Sequence, residues 1–251
     1  MDETELWNRA ASDFQQILKQ GQSEYNGKLF EFLVGNCGLK PGIRVVDVGC
    51  GVGKYGMMLA SMGCEVCLTD ISPEMLRYAE GNMSAFDTPW SCICGDFSAV
   101  SEHLLSGGKY DLAISTMSPA VHDRDTVLKF SNLSCGCCFL SRFTSWEQPM
   151  RDRLLESLGA ASDAHYHSEE KTAALIEAVR SAGFEPKVCT VDYNWCDMRT
   201  AEETAEYLKR RCGLAEHEDA ELIEAIKPLL NGDGLFADAV YTKVLWIYWS
   251  V

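Results

Sequence analysis

The sequence has no run long enough to cross a membrane as a helix: its longest apolar tract, residues 244–251, falls far short of the roughly 20 residues a span requires. It is also poor in positive charge. Its 22 Lys and Arg stand against 37 Asp and Glu, giving a formal net charge of −15, and no basic cluster is longer than Lys209-Arg210-Arg211. Phosphate contacts come from Lys and Arg, so this balance counts against a nucleic-acid partner and against an anionic membrane surface. The stretch Met1-Asp2-Glu3-Thr4-Glu5 is acidic where a signal peptide would be basic and then apolar, which leads us to expect a cytoplasmic setting. Half of a zinc site is missing as well. Cys64-x-x-Cys67 has no second Cys-x-x-Cys or Cys-x-x-His to complete four ligands, so no metal is expected. Without an internal repeat, a low-complexity tract or a Pro/Ser-rich linker, residues 1–251 read as one continuous domain.

What the chain does contain is ordinary globular material, 47% hydrophobic and 24% charged, which excludes a disordered chain or a coiled-coil rod. Most of the twelve cysteines (Cys64, Cys67, Cys92, Cys94, Cys135, Cys137, Cys138) sit in apolar, strand-like runs and are expected as small buried hydrophobes. Short apolar segments at 43–48, 65–69, 91–94, 110–115, 137–143 and 187–191 alternate with stretches that can hold helices, and 236–251 reads as a long final strand. This α/β alternation predicts a mainly parallel seven-stranded sheet covered by helices on both faces.

Helix signals agree. Ser72-Pro73 supplies an N-cap and a proline at the first helical position, and Thr200 with Glu203 has capping-box spacing. Ser168 precedes a stripe of Leu175, Ile176, Val179 and Ala182 closed by Gly183, while Leu222, Ile223, Ile226 and Leu230 form another before Asn231-Gly232. Residues 1–40, helical in pattern, and a two-helix insertion at 192–235 fall outside the alternation. Ligands of open α/β sheets sit beyond the carboxyl ends of the strands, so both segments are expected to cover the substrate.

The most informative stretch is Val45-Val46-Asp47-Val48-Gly49-Cys50-Gly51-Val52-Gly53-Lys54-Tyr55-Gly56, a strand running into a glycine-rich turn and then a helix. A P-loop fails, because Val48 stands at its first glycine position and Tyr55 where a magnesium-binding hydroxyl belongs. A dinucleotide fingerprint is matched by Gly51, Gly53 and Gly56, with Asp70 nineteen residues beyond Gly51. Asp47 argues against it, since a pyrophosphate beside that carboxylate would be repelled, whereas an ammonium or sulfonium would be favoured. The third unit is Asp47-x-Gly49-x-Gly51-x-Gly53.

That unit resembles the cofactor motif of class I S-adenosylmethionine-dependent methyltransferases, and further landmarks follow in that family's order over roughly residues 40–190. Glu65-Val66-Cys67-Leu68-Thr69-Asp70 resembles the second strand and its ribose-binding acid. Ile71-Ser72-Pro73-Glu74-Met75-Leu76 resembles the turn and helix after it, and Cys94-Gly95-Asp96-Phe97 the segment flanking adenine. Tyr110-Asp111-Leu112-Ala113-Ile114-Ser115 resembles the fourth strand, which points at the reacting methyl group. The resemblance implies a Rossmann-like fold with an antiparallel last strand and S-adenosylmethionine as cofactor. It implies a cofactor site made of Asp47, Gly49, Cys50, Gly51, Gly53, Asp70, Ile71, Met75, Gly95, Asp96, Phe97 and Ser115, with Tyr25 either touching the cofactor carboxylate or packing the N-terminal segment. Asp70 would accept the ribose hydroxyls and Asp96 the adenine amino group, with Phe97 or Ile71 on the ring; Asp96 also reads as a helix N-cap.

After the fourth strand the chain runs Thr116-Met117-Ser118-Pro119-Ala120-Val121-His122, with one proline and no aromatic where the base-methylating branch has Asp/Asn-Pro-Pro-aromatic. This departure, with the acidic charge, favours a small-molecule methyl acceptor over nucleic acid. His122 is the candidate base, a surface or cap histidine being the plain alternative. Arg142, Trp146, His165, Tyr166, His167, Asp192, Tyr193 and Trp195 occupy other connections expected at the active face. Rival readings are an NAD-dependent oxidoreductase and a catalytically silent cofactor-binding subunit. The sequence does not speak to oligomeric state.

Overall fold

The computed structural model describes residues 2–19, 24–160 and 169–251. Along the chain run α1 (Glu3–Lys19), α2 (Glu24–Asn36), β1 (Arg44–Val48), α3 (Lys54–Ser61), β2 (Glu65–Asp70), α4 (Pro73–Met83), β3 (Trp90–Cys94) and α5 (Phe97–Leu104). There follow β4 (Tyr110–Thr116), α6 (Arg124–Leu133), β5 (Ser134–Glu147), α7 (Pro149–Ser157), α8 (Glu169–Ser181), β6 (Lys187–Asp192), β7 (Trp195–Arg199), α9 (Ala201–Arg211), α10 (Asp219–Ile226) and β8 (Phe236–Ser250). The chain divides into two compact units. Unit 1 comprises Met1–Arg142, Glu170–Thr190 and Leu245–Val251, and unit 2 comprises Phe143–Glu169 and Val191–Val244.

Strand order is β3-β2-β1-β4-β5-β8-β6, with β7 pairing to β8 off that path. β1 lies parallel to β2 and β4, β2 to β3, and β4 to β5, while β8 runs antiparallel. The seven-strand path and the reversed last strand match the expectation from sequence. In unit 1, residues alternate between the two faces of the sheet. Val46, Val48, Ala113, Cys138, Leu140, Ile247 and Trp249 share one face and pack with Phe97, Phe130, Leu175 and Val179 from α5, α6 and α8. On the other face, α2 sets Phe32 with its ring centroid 4.7 Å from that of Trp246. There too α3 lies so close to β2 that a Cβ on Gly56 would come within 2.6 Å of Leu68.

The caps form as their chemistry dictates. Ser72 Oγ accepts from the Met75 N–H at 3.0 Å with Pro73 opening α4, and Thr200 and Glu203 form a reciprocal capping box on α9. Ser168 lies outside the described residues, but Leu175 and Val179 of its helix are buried. Unit 2 has its own apolar core, built from Leu154 and Leu155, Ala201, Ala205 and Leu208, Leu222 and Ile226, and Phe236.

Two sequence expectations need correction. Residues 192–235 are not wholly helical: α9 and α10 are present, but 195–199 form β7, paired antiparallel from Trp195 opposite Val240 to Arg199 opposite Phe236. Trp195, Asp197 and Arg199 are half-buried while Cys196 and Met198 are exposed, a two-residue period that five mixed residues signal only weakly. The cysteines, too, divide: Cys64, Cys67, Cys137 and Cys138 are buried, but Cys94, the last residue of the edge strand β3, and Cys135, at the start of β5, are exposed. Among the described residues no helix is long and apolar enough to cross a membrane.

Candidate active site

The glycine turn leaves β1 in the left-handed region, with φ of +72° at Gly49, +55° at Gly51 and +82° at Gly53. Gly49 has a second reason to be glycine. A Cβ there would fall 1.8 Å from Ser118 Oγ, so only a bare α-carbon lets the turn meet the β4–α6 connection. The turn is fastened to the end of β2: the Gly49 and Cys50 N–H groups donate to the Thr69 carbonyl at 2.8 and 3.1 Å, and the Gly51 N–H to Asp70 Oδ2 at 2.9 Å. The other oxygen of Asp70 accepts from the Ser72 N–H at 2.9 Å. Burial raises the Asp70 carboxyl above its ordinary value, and these backbone donors hold it back.

Asp47, at the end of β1, is different. It is 0% exposed, and neither carboxylate oxygen has a hydrogen-bond partner among the described residues. Burial, and then the charge of Asp70, push its pKa up to about 8. A carboxyl in that position favours its protonated form, and a cation placed beside it would favour the charged form. Such a pair of acids at successive strand ends fits a ligand bearing positive charge and sugar hydroxyls. Burial and the same two acids hold the Cys50 thiol well above its usual range, which keeps it a neutral lining group rather than a nucleophile. Lys54 opens α3, and burial lowers its ammonium to about 8.

The other residues suggested by sequence sort themselves around this centre. Ile71 is half-exposed just beyond β2, and Met75 is buried at the start of α4. Gly95 donates its N–H to the Asp70 carbonyl at 3.0 Å. Asp96 is the N-cap of α5, accepting from the Ser98 N–H at 2.7 Å through one oxygen. Phe97 is only 5% exposed and its ring meets Phe130 edge-on at 6.3 Å in the sheet core, so of the two candidate ring-packing residues Ile71 is the accessible one. Ser115, at the end of β4, is fully buried, and its Oγ has no partner among the described residues. Tyr25 is buried within α2, where its hydroxyl accepts from Trp246 Nε1 at 2.9 Å.

The β4–α6 connection is held from the end of β5. The Arg142 guanidinium donates to the Ser141 and Val121 carbonyls at 2.7 Å each and to the Ser115 carbonyl at 3.4 Å, and burial lowers its pKa to about 10. Met117 takes φ +54°, the one non-glycine residue with positive φ among the described residues. His122 is exposed, with Nδ1 3.2 Å from the Pro119 carbonyl and Nε2 3.6 Å from Asp123 Oδ2. A carbonyl only accepts, so Nδ1 carries the hydrogen and Nε2 is left to take a proton. His165, Tyr166 and His167 lie outside the described residues, Asp192 is exposed, and Trp146, Tyr193 and Trp195 belong to unit 2. No three His, Cys, Asp or Glu side chains gather as metal ligands among the described residues.

Sequence reasoning missed the polar clamp from α1. Asn8 Oδ1 accepts from Ser72 Oγ at 2.6 Å, Gln15 and Asn82 exchange amide hydrogen bonds at 2.9 and 2.8 Å, and Asn82 donates to the Val52 carbonyl in the glycine turn at 2.9 Å. Ala11 packs between them against Val52 and Met75. Asn and Gln on an amphipathic helix form no motif; the small Ala11 on its apolar face was the available signal.

Comparison with known proteins gives a consistent picture. Residues 45–133 match the family model described as a methyltransferase domain. A Methanocaldococcus jannaschii protein provisionally named as a ribosomal RNA large subunit methyltransferase is 28% identical over 175 residues, covering 68% of this chain and 43% of that protein. The release factor glutamine methyltransferase of Bordetella pertussis is 37% identical over 75 residues, 29% of this chain and 26% of that protein. The chain thus spans less than half the length of these curated relatives. Among solved structures, precorrin 8W decarboxylase from Methanobacterium thermoautotrophicum aligns with a TM-score of 0.55 at 14% identity over 92% of both chains. Magnesium protoporphyrin IX methyltransferase from Synechocystis, solved with S-adenosylmethionine bound, aligns at 0.50 and 16% identity over 99% of this chain and 97% of the other. Identities this low speak for the fold.

Proposed function

We propose that this chain, which carries a class I S-adenosylmethionine-dependent methyltransferase domain, transfers a methyl group from that cofactor to a small-molecule acceptor by in-line displacement. The observation that carries this reading is Asp47: a fully buried carboxyl beside the glycine turn, with both oxygens unsatisfied and its pKa raised, suits a ligand that brings positive charge. The cofactor would supply a methyl group activated on a sulfonium.

The chain's own residues do the rest. Gly49, Gly51 and Gly53 let the backbone approach closely, and the start of α3, capped by Gly53 with no side-chain bond, offers amides to a carboxylate. Asp70, held in place by the Gly51 and Ser72 amides, would accept the ribose hydroxyls through its remaining lone pairs. Asp96 would accept the adenine amino group through the oxygen not used in capping α5, and Ile71 would lie on the ring. Cys50, Met75, Gly95 and Ser115 line the same end of the sheet. Where the acceptor is protonated, His122 Nε2 is the atom proposed to take the proton. The N-terminal helices 1–40 and the segment 192–235 are proposed as the substrate cover.

The excess of acidic residues supports a small acceptor over a nucleic acid. The test is methyl transfer from isotope-labelled cofactor into a cell extract, followed by separation of products. Label in small metabolites is the expected result, and label confined to RNA would favour the chemistry named for the M. jannaschii relative.

A further inference from the structure

The His122 side chain is 63% exposed, yet the backbone that carries it is fastened on both sides. The Val121 carbonyl, one peptide before it, accepts from Arg142 Nη2 at 2.7 Å, and the Val121 side chain is buried in the sheet core. On the other side the His122 N–H donates to Thr126 Oγ1 at 3.0 Å, within the capping box that opens α6. Arg142 Nη1 meanwhile donates to the Ser141 carbonyl at 2.7 Å and to the Ser115 carbonyl at 3.4 Å, and the Met117 N–H donates to that same Ser141 carbonyl at 3.0 Å. One guanidinium thus ties β4, β5 and the residue before His122 to one another.

What this fastening governs is the imidazole. A neutral ring carries its hydrogen on one nitrogen, and the hydrogen bonds around it select which. Nδ1 lies 3.2 Å from the Pro119 carbonyl, three residues back, so that bond lasts only while residues 119–122 keep their turn. Asp123 Oδ2 is 3.6 Å from Nε2, beyond hydrogen-bond length, and does not draw the hydrogen to that nitrogen. An exposed ring cannot hold the turn by packing, so the turn depends on its backbone anchors. Arg142 suits that task because its planar fork reaches three carbonyls in fixed directions, which the single ammonium of a lysine cannot do.

We propose that Arg142 is the positioning residue for His122: through the Val121 carbonyl it keeps the 119–122 turn in the shape that places the ring hydrogen on Nδ1 and presents Nε2 to accept a proton. The purpose of this arrangement rests on the methyl-transfer reading above, in which His122 is the base, but the tautomer is measurable with neither cofactor nor acceptor present.

The experiment is long-range proton–nitrogen correlation NMR of the full chain with isotope-labelled histidine, His122→Gln identifying the signal. At about pH 8.5, roughly two units above the titration of an ordinary imidazole, the ring is neutral. Arg142, lowered by burial to about 10, is still charged there. Wild type should show Nδ1–H as the main tautomer of His122. In Arg142→Lys the ratio of Nδ1–H to Nε2–H should fall by about fivefold or more, the scale of one lost hydrogen bond. Arg142→Gln, which buries no charge, should do the same and carries the test if the lysine variant fails to fold. Asp238→Ala, which disrupts the Gln148 and Arg199 contacts of unit 2 instead, should leave the ratio unchanged. Nε2–H as the main tautomer in wild type, an unchanged ratio in the Arg142 variants, or an equal fall in Asp238→Ala would overturn the proposal. Failure of the wild-type chain to bind S-adenosylmethionine would instead sink the methyl-transfer reading, and the tautomer ratio would still decide the role of Arg142.

Discussion

Asp47 in unit 1 and Asp238 in unit 2 are buried to the same degree, 0% and 1% exposed, and burial raises the pKa of both. Their neighbours differ. Asp238 accepts from the Gln148 amide at 3.0 Å and lies 3.5 Å from the Arg199 guanidinium, which draws its carboxyl back down to about 6. Asp47 has no such partner among the described residues, and its charged neighbour Asp70 pushes it further up, to about 8. A buried acid compensated by its own fold is a structural element; one left uncompensated is suited to a cation that arrives from outside.

The largest break in that contrast should come from Gly49→Ala. Its φ of +72° and the 1.8 Å approach of the new Cβ to Ser118 Oγ cannot both be accommodated, so cofactor binding should be lost and stability should fall by about 1–3 kcal/mol from backbone strain alone. Calorimetry and thermal unfolding check the two effects separately. Asp70→Ala should weaken the cofactor by about 10- to 100-fold, the scale of hydrogen bonds to a charged group, and an unchanged affinity would show that the ribose acid lies elsewhere.

Asp47→Asn sharpens the comparison through pH. An ordinary aspartate loses its proton near 3.8, whereas folded Asp47 keeps its own up to about 8. Between those values the folded state binds more protons than the unfolded one, so stability falls as pH rises, at up to about 1.4 kcal/mol per pH unit, and the loss is complete above pH 8. Asp47→Asn should flatten this slope in denaturant titrations run from acid to alkaline pH; an identical slope in both proteins would remove Asp47 from the account.

His122→Gln should leave cofactor affinity alone but lower turnover by about 100-fold or more for a protonated acceptor, in steady-state rates measured against pH. Asp238→Ala should alter cofactor affinity least of all while costing about 3 kcal/mol of stability, because it strands Arg199 and Gln148. If it abolished cofactor binding instead, the distinction between the two acids would collapse.

Much of unit 1 was legible in the sequence because its signals are local. The Val45–Val48 run, the glycine turn and the Ser72-Pro73 cap each follow from a few adjacent residues, and together they fix strand, turn and helix. Asp47 and Asp70 could be placed at strand ends for the same reason. What escaped depends on contacts distant in sequence. The pairing of Gln15 with Asn82 spans 67 positions, Arg142 reaches back to Val121, and β7 is recognisable only through its partner β8. Phe97 shows the converse: an aromatic at the right place in a motif was free to turn into the core, since sequence order places the backbone and packing decides the side chain.

The central claim is that Asp47 waits, protonated, for a cationic cofactor. It is tested most directly by calorimetry of the unliganded chain with S-adenosylmethionine at pH 7 in buffers of different ionisation enthalpy. One cofactor bound per chain, with close to one proton released and that release abolished in Asp47→Asn, is the predicted result. Absence of binding at high micromolar cofactor, or binding of NADH in its place, would contradict it.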